Sequence, residues 1–393
     1  MNFDAAVAQF TQHNYDLLIA RQEAQKSYAN LITAKERPNP VLNGSYEFMN
    51  IKNHFSDTST GSNAQATIIL AHPIETGGKR DRRIDLAVHS ITFNDFIYDE
   101  TLRESLSSLI DTYYAVLSSQ SDLANAEENA RAYARVMVIA KVKLDSGFLS
   151  QMEYQKISLQ QIDYIREIEN NRRTLGQERE NLALLLALPS SDISVTEPVS
   201  PIAAIAPLDE FLANIAERPD CKAAKENLAV AEAALKLEKA NALPNITVGA
   251  EYASFGPDYQ PLAGVNFSVP LPVYDRNEGD IERSRIGTLQ AVNLYNKTLH
   301  MARTDVIQSY ETAKSRETLY RIMEKGFIAA KELKEKQEKI FALKGISILE
   351  LLDAQKSYRD YQKNLTHAAI DLHSAAVRLK LNSGSSLIDP KGH

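Results

Sequence analysis

A seven-residue apolar rhythm runs along a long segment in the first half of the chain. Its positions are Leu102, Leu109, Val116, Leu123, Ala130, Met137 and Leu144. A sustained repeat of this length is typical of helices that pack side by side in a coiled coil. Residues 79–145 contain neither proline nor glycine, so we predict one helix of about 100 Å at about 1.5 Å per residue.

The same rhythm returns 197 positions later on a second long segment. There, Leu299, Val306, Ala313, Tyr320 and Phe327 correspond to the first five positions. Nearer the N-terminus the offset is 204, which aligns Asn14-Tyr15-Asp16 with Arg218-Pro219-Asp220 and Pro40 with Pro244. A period of this size indicates a duplicated architecture. We therefore predict two tandem structural repeats, residues 1–200 and 201–393.

Each repeat has the same predicted order of elements: helices, two strands, a long helix and a shorter helix. In the first repeat we expect helices over 3–36, strands over about 41–51 and 64–72, a long helix over about 78–145 and a helix over about 150–187. In the second repeat, after its first helices, we expect strands over about 245–254 and 262–270, a long helix over about 278–343 and a helix over about 347–382. Proline cannot continue a helix, so Pro38 and Pro40 end the first helical segment.

The four predicted strands alternate apolar and polar residues, so each has two different faces. Strands of about 9 to 11 residues can cross a bilayer when tilted. Four strands cannot close a barrel, and an open sheet edge is not tolerated in lipid. We therefore expect other copies of the chain to complete a barrel. Its polar faces, which include Glu47 and Glu251, would line a water-filled interior.

The strands are also compatible with a protein of another class, a soluble coiled-coil scaffold or adaptor that binds partners through its helical hairpins. In that case the strands would form a small β-domain. A helix of about 100 Å is difficult to fold back on four short strands as one compact core. Adaptors of this kind typically have one hairpin with a lipoyl-like domain between its arms, whereas this chain has two predicted hairpins and no such domain.

Composition excludes several other functions. The net charge is −7 with no basic run, so nothing indicates a nucleic-acid partner. The single cysteine, Cys221, excludes an intrachain disulfide and is expected to be a small buried residue on a helix. The eight histidines include no pair four apart and no Glu-x-x-His, and no phosphate loop or Gly-x-Ser-x-Gly occurs. We expect neither an enzyme nor a cofactor or metal site.

The chain contains no run of 18 uncharged apolar residues, so no transmembrane helix is predicted. Residues Met1 to Asp4 lead directly into an amphipathic helix, without the features of a signal peptide. The expectation is therefore either a cytosolic protein or a numbering that starts after processing.

Several motifs resemble the TolC family of outer-membrane efflux channels over essentially the whole chain. Pro40 and Pro244 lead into the first strand of each half, and Gly147 and Gly345 mark turns between helices. The segments after the strand pairs read His72-Pro73-Ile74-Glu75-Thr76-Gly77-Gly78-Lys79-Arg80 and Pro270-Leu271-Pro272-Val273-Tyr274-Asp275-Arg276-Asn277-Glu278-Gly279. The most specific is Gly345-Ile346-Ser347-Ile348-Leu349-Glu350-Leu351-Leu352-Asp353-Ala354-Gln355. The two strand exits are most similar to the heavy-metal branch of the family.

The resemblance implies a homotrimer with a 12-stranded β-barrel in the bacterial outer membrane, continued by an α-helical coiled-coil barrel through the periplasm. It also implies that a signal sequence precedes this numbering. Such a protein passively receives substrate from an inner-membrane resistance-nodulation-division pump through a periplasmic adaptor, the membrane fusion protein. Heavy-metal cations and organic compounds both remain candidate substrates.

The resemblance also implies roles for residues near the two helical turns. Glycine permits the chain to reverse direction there, and the family's adaptor is expected to bind Gly147, Phe148, Ser150, Gly345, Ile346 and Ser347. Without the family, these are simply hairpin turns.

Glu350 and Asp353 are three residues apart and share a helix face. An acidic pair of this kind is usually a solvated face. In a threefold tube it would form a ring of six carboxylates, and such rings select cations. The resemblance assigns the pair to a closed periplasmic aperture, together with Glu153, which holds the position of Glu350 in the first repeat.

Overall fold

The computed structural model describes residues 1–48, 64–189, 191–196, 205–255, 260–342 and 348–385. Helices and strands follow one another in the same order in both halves of this described chain. The first half contains α1 (Phe3–His13), α2 (Tyr15–Lys35), β1 (Val41–Phe48), β2 (Ala64–Ile74), α3 (Lys79–Asp145) and α4 (Gln151–Leu185). The second contains α5 (Leu208–Leu212), a 3₁₀ turn (Ile215–Glu217), α6 (Pro219–Asn241), β3 (Ile246–Phe255), β4 (Leu262–Ser268), α7 (Glu278–Ala342) and α8 (Ile348–Asn382).

The chain forms two compact units, and each takes segments from both halves. The first unit comprises Met1–Arg21, Tyr98–Cys221 and Leu299–His393. The second comprises Gln22–Ile97 and Lys222–Thr298. The division of the chain at residue 200 into two repeats stays a prediction. Within the described residues, no helix combines the length and apolarity needed to span a membrane.

The seven-residue rhythm forms the buried seam of the first unit. Leu109 and Val116 of α3 are fully buried against residues of α1, α4 and α8. Nearer the α3–α4 turn, a second apolar cluster joins Tyr133, Val136, Ala140, Leu149, Ile157, Tyr164 and Leu352. Cys221 is buried in a third cluster with Val306 and Leu379. Burial raises the pKa of its thiol to about 12, as expected for a structural cysteine.

The helix predicted over 3–36 is instead two helices, because Asn14 interrupts it. Asn14 has an extended backbone and is buried. Its Nδ2 donates to the Leu185 carbonyl oxygen at 2.9 Å, and its Oδ1 accepts from the Leu17 backbone N–H at 3.1 Å. One side chain thus caps the first turn of α2 and ties it to the end of α4.

Arg218 occupies the corresponding place before α6. Its guanidinium is 1% exposed and binds both carboxylate oxygens of Asp220 at 3.0 and 2.8 Å. It also donates to the Asn382 carbonyl oxygen at 3.1 Å. Asn382 lies 197 positions after Leu185, so Asn14 and Arg218 bind equivalent carbonyls at the ends of α4 and α8. The offset of 204 between Asn14 and Arg218 and the offset of 197 between Leu185 and Asn382 therefore relate two equivalent contacts in the structure.

The four strands of the second unit form one antiparallel sheet in the order β1-β2-β3-β4. Directly opposed residues share a face, and the register opposes Leu42 to Leu70, Ile68 to Tyr252 and Tyr252 to Ala263. The apolar residues predicted for one face therefore do share it across all four strands. Among the described residues, β1 pairs with β2 and β4 pairs with β3, and the other edge of each of these two strands has no partner there.

We predict that Arg218→Met lowers the free energy of unfolding by about 3 kcal/mol, because Asp220 loses its paired cation and the carbonyl oxygens of Ala302 and Asn382 lose a donor. Urea unfolding followed by helical circular dichroism in detergent measures this. Arg285→Met is the control, since it removes an exposed ion pair with Glu282 and should leave stability unchanged. Equal stability of the two variants would contradict the assigned role of Arg218.

Candidate functional site at the helical turn and on the sheet

The turn between α3 and α4 has the geometry that Gly147 predicted. Gly147 has a φ of +75°, a conformation that glycine adopts without steric cost. The N–H of Gly147 donates to the Leu144 carbonyl at 3.0 Å, and that of Phe148 to the Lys143 carbonyl at 2.8 Å. This pair of hydrogen bonds is a Schellman motif, which ends α3 and reverses the chain.

Two neighbouring side chains in this turn behave differently. Leu149 is buried in the cluster with Ile157, which anchors the turn to the helical hairpin. Phe148 is 74% exposed. An exposed aromatic ring on an anchored turn is a suitable contact point for another protein.

Ser150 and Glu153 form a capping box at the start of α4. The Glu153 backbone N–H donates to Ser150 Oγ at 3.2 Å, while the Ser150 N–H and hydroxyl donate to Glu153 Oε2 at 2.9 and 2.7 Å. These hydrogen bonds, that of the hydroxyl first, lower the pKa of Glu153. The Ser-x-x-Glu spacing is typical of this cap, but the sequence interpretation assigned Glu153 only to the periplasmic aperture. The role of Glu153 in the aperture stays a prediction.

The acidic pair lies at the start of α8. The predicted tip residues Gly345, Ile346 and Ser347, however, are outside the described residues. Glu350 and Asp353 are both exposed. Leu351 and Leu352, between them, are buried, and Leu352 belongs to the apolar cluster of the α3–α4 hairpin. The first turns of α8 therefore pack their apolar side chains against that hairpin and leave the carboxylates of Glu350 and Asp353 on the exposed side of the helix.

Arg359 is a further anchor of α8, which the sequence interpretation missed. Its guanidinium lies 4.4 Å from the centre of the Tyr164 ring of α4, and burial lowers its pKa. Tyr164 in turn packs against Tyr133 of α3 at 4.7 Å between ring centres. Tyr133 donates its hydroxyl to the Ile157 carbonyl at 2.8 Å, and burial raises its pKa to about 12. Arg359 follows Leu352 by seven residues, the spacing that could have indicated a shared face.

Two cavities lie beside Arg359 in the first unit. One, of about 270 Å³, has mainly polar walls that include Asp122, Glu167 and Lys363. The other, of about 630 Å³, has walls that include Tyr133, Leu351 and Tyr358.

Glu47 and Glu251 lie on the same face of the sheet. The register opposes Glu47 to Gln65, and Glu251 to Ile69 and Gly264. The Asn266 amide donates to Glu251 Oε2 at 3.4 Å. The apolar side chains of Leu42, Ile68, Tyr252 and Phe267 project from the other face. A sheet with this division can separate water from an apolar environment, provided that its edges are paired.

We predict that Ser150→Ala accelerates amide exchange in residues 151–154 about fivefold at neutral pH, because loss of an N-cap costs about 1 kcal/mol. Hydrogen exchange with mass spectrometry measures this. The folded pKa of Glu153 lies below its ordinary value of 4.5, so its contribution is present above that pH and is lost as pH falls through the folded pKa.

Ser158→Ala is the control for this measurement, since the Ser158 hydroxyl donates to a carbonyl of its own helix and lies beyond the first turn of α4. It should leave exchange at the start of α4 unchanged. Unchanged exchange in Ser150→Ala as well would rule out the capping role.

Comparison with known proteins identifies relatives of this fold. The sequence profile described as outer membrane efflux protein matches residues 6–188 and 213–385. The cobalt-zinc-cadmium resistance protein CzcC of Cupriavidus metallidurans is 23% identical over 282 residues, which cover 72% of this chain and 65% of CzcC. The pyoverdine export outer membrane protein OpmQ of Pseudomonas putida is 25% identical over 236 residues, which cover 56% of this chain and 48% of OpmQ. The chain thus matches less than two thirds of the length of these two relatives.

Among solved structures, CusC aligns with a TM-score of 0.78 at 17% identity, covering 97% of this chain and 92% of CusC. At this identity the match supports the fold alone. The predicted resemblance to the TolC family is confirmed by the family profile, and the match to CzcC confirms the predicted similarity to its heavy-metal branch. Membership argues against the alternative of a soluble scaffold. The chain belongs to the outer membrane efflux protein family.

Proposed function

We propose that three copies of the chain form the outer-membrane exit duct of a tripartite efflux system. The duct passively conducts substrate from an inner-membrane resistance-nodulation-division pump and a periplasmic adaptor to the outside. The observation that carries this proposal is the two-faced sheet with its two unpaired edges. No chemical step and no cofactor is involved.

Backbone groups that face lipid must all be hydrogen-bonded within the protein. In the part of the chain that the structure describes, one edge of β1 and one edge of β4 have no partner. These two edges run antiparallel, so β4 of one copy can pair with β1 of the next. Repeating that step around an axis closes the sheet and leaves no edge.

Three copies account for conduction better than two. Two copies would give eight strands, and the interior of such a barrel is filled by side chains or holds one small ligand. Three copies give twelve strands and a wider interior. The polar face would then line this lumen with rings of Glu47 and Glu251, while the apolar face would contact lipid.

The long helices α3 and α7 would continue the conduit through the periplasm, with α4 and α8 packed against them. At the start of α8, three copies would bring Glu350 and Asp353 together as six carboxylates around the axis. A ring of carboxylates attracts cations and repels anions. Glu153 of each copy would stand at the same aperture, held in place by its capping box.

The helical turns would bind the periplasmic adaptor. On the first turn, Gly147 and Ser150 fix the backbone, and Phe148 offers an exposed ring. On the second turn, Gly345, Ile346 and Ser347 are assigned by the family resemblance alone.

We propose metal cations as the exported substrate. Similarity alone does not select them, because CzcC is named for cobalt, zinc and cadmium resistance and OpmQ for pyoverdine export. The acidic residues proposed for the lumen and the aperture favour positively charged cargo.

We predict that the protein conducts ions across a planar bilayer with a preference for cations over anions. The double variant Glu350→Gln, Asp353→Asn should shift the reversal potential in a potassium chloride gradient toward lower cation selectivity. Glu311→Gln, Glu324→Gln is the matched control, since both carboxylates are exposed on α7, and it should retain the wild-type potential. Anion preference in the wild type would contradict the proposed substrate and the aperture.

We also predict that the protein restores zinc or cobalt tolerance to a bacterium that has a metal pump and adaptor but lacks their exit duct. Phe148→Asp should abolish this tolerance, because a charged side chain disrupts an apolar contact with the adaptor, while the protein still assembles in the membrane. Phe148→Tyr keeps an aromatic ring and should retain tolerance. Full tolerance with Phe148→Asp would exclude this turn as an adaptor site.

A further inference from the structure

The larger of the two cavities beside Arg359 lies within the first unit of a single chain. Its volume is about 630 Å³, inside the range of about 300 to 1,000 Å³ that is usual for small-molecule sites. Helices α3, α7 and α8 all contribute to its wall. The wall residues nearest the apolar cluster of the α3–α4 hairpin are Ala132, Tyr133, Val136, Leu351, Tyr358 and Arg359.

The apolar part of this wall is positioned by neighbouring side chains. Leu351 is buried, and Tyr133 is held by its hydrogen bond to the Ile157 carbonyl. The Tyr358 ring lies 5.5 Å from the Phe327 ring between centres, while Lys334 Nζ lies 4.3 Å from the centre of the Tyr358 ring. The cavity is therefore largely preformed, as ligand sites usually are.

The charged residues of the same wall are mainly cationic. Its four cations are Arg135, Lys143, Lys334 and Arg359, and its two carboxylates belong to Glu128 and Glu338. The chain as a whole has the opposite balance, with a net charge of −7. A local excess of cations in an acidic protein favours an anionic ligand at this place.

Arg359 is the cation of this wall that has no paired anion. Its Nε donates to the Gln355 carbonyl of its own helix at 3.2 Å, and its guanidinium lies over the Tyr164 ring. Within the described residues, no carboxylate forms an ion pair with it and its two terminal nitrogens donate to no acceptor. A half-buried cation in this state has lost water without gaining a partner, which a bound carboxylate would supply.

The smaller cavity of about 270 Å³ adds a second donor without a partner. Its wall shares Asn129 and Arg359 with the larger cavity and also contains Asn125. The Nδ2 of Asn125 is buried and has no hydrogen-bond partner in the described part of the chain. The acidic side chains of this wall do not compensate Arg359, because Asp122 is paired with His367 at 2.7 Å. The others, Asp163, Glu167 and Asp360, are exposed.

We propose that the larger cavity binds a small organic anion, whose carboxylate pairs with Arg359 and whose apolar body lies between Tyr133, Leu351 and Tyr358. The planar guanidinium can bind both carboxylate oxygens. The ligand is an effector rather than cargo, since the proposed cargo is cationic. It would contact α3, α7 and α8 together, directly beside Glu350, and so hold α8 in place next to the acidic pair. All of these walls belong to one chain, so the inference does not depend on closure of the barrel.

Photo-crosslinking with 4-benzoylbenzoate, a carboxylate on two apolar rings, tests this site. The full chain in lipid nanodiscs is illuminated with the probe, digested, and mapped by mass spectrometry. We expect saturable labelling within residues 132–139 and 351–358, which 2-naphthoate should displace. The uncharged 4-benzoylbenzamide should label these residues about tenfold less, because it cannot form the ion pair with Arg359. Equal labelling by both probes would overturn the inference.

Two variants test the site independently of the probe's charge. Arg359→Gln should lower labelling by 4-benzoylbenzoate about tenfold, because the amide carries no charge. Ala132→Trp places an indole ring in the cavity and should abolish labelling. Arg321→Gln is the matched control, since Arg321 is exposed on α7 and pairs with Glu317 at 2.8 Å; it should label as the unsubstituted protein does.

Helical circular dichroism and particle mass establish that each variant folds and assembles. Wild-type labelling in the folded Arg359→Gln or Ala132→Trp variant would overturn the inference. Labelling confined to the sheet would show that the probe only partitions into lipid. Absence of labelling from the assembled protein would show that the cavity is filled or closed. Either result overturns the site but leaves the proposed duct intact, because the duct is tested by its chain count and cation preference.

Discussion

The pairing of backbone hydrogen bonds at the edges of the sheet is the constraint on which the rest of the protein depends. An unpaired N–H or C=O group costs several kcal/mol in hydrocarbon, and the four-stranded sheet has two such edges. The sheet has one apolar and one polar face, so it suits a boundary between lipid and water. It can occupy that boundary only when copies of the chain close the ring. In the proposed duct, assembly would therefore be a condition for membrane insertion as well as for conduction.

The helical part of the protein is stabilised differently, by a repeated apolar seam and a few buried polar anchors. Leu109 and Val116 contribute to the seam, while Asn14 and Arg218 bind carbonyls at the ends of α4 and α8. Each anchor joins the start of one helix to the end of another in the same unit. Nearer the turn, Leu352 and Arg359 hold α8 against the α3–α4 hairpin, and so determine where the acidic pair is presented.

Much of the fold could be predicted because its signals are long and periodic. The heptads of α3 and the alternation in β1 to β4 extend over many residues, and both patterns occur twice along the sequence. The break at Asn14 was missed because a single polar residue in an amphipathic helix resembles any other polar position until its buried partner, the Leu185 carbonyl, is known. The stacking of Arg359 on Tyr164 was missed for a similar reason, since it joins residues 195 positions apart in the sequence.

The candidate site could be predicted only in part. Gly147 predicted the turn between α3 and α4, because a positive φ at the end of a helix strongly favours glycine. The Ser-x-x-Glu spacing indicates the capping role of Glu153, whereas the family resemblance predicted a role for this residue in the periplasmic aperture. The assignments of Glu350 and Asp353 depend on neighbouring copies, which no periodicity within one chain reveals.

The mass of the purified protein in detergent, measured by light scattering with the detergent contribution subtracted, tests the closure of the barrel most directly. Three times the chain mass of 43.8 kDa, together with a belt of bound detergent, is the expected result. A single chain that stays in solution without bound detergent would contradict the closed barrel and the exit duct built on it.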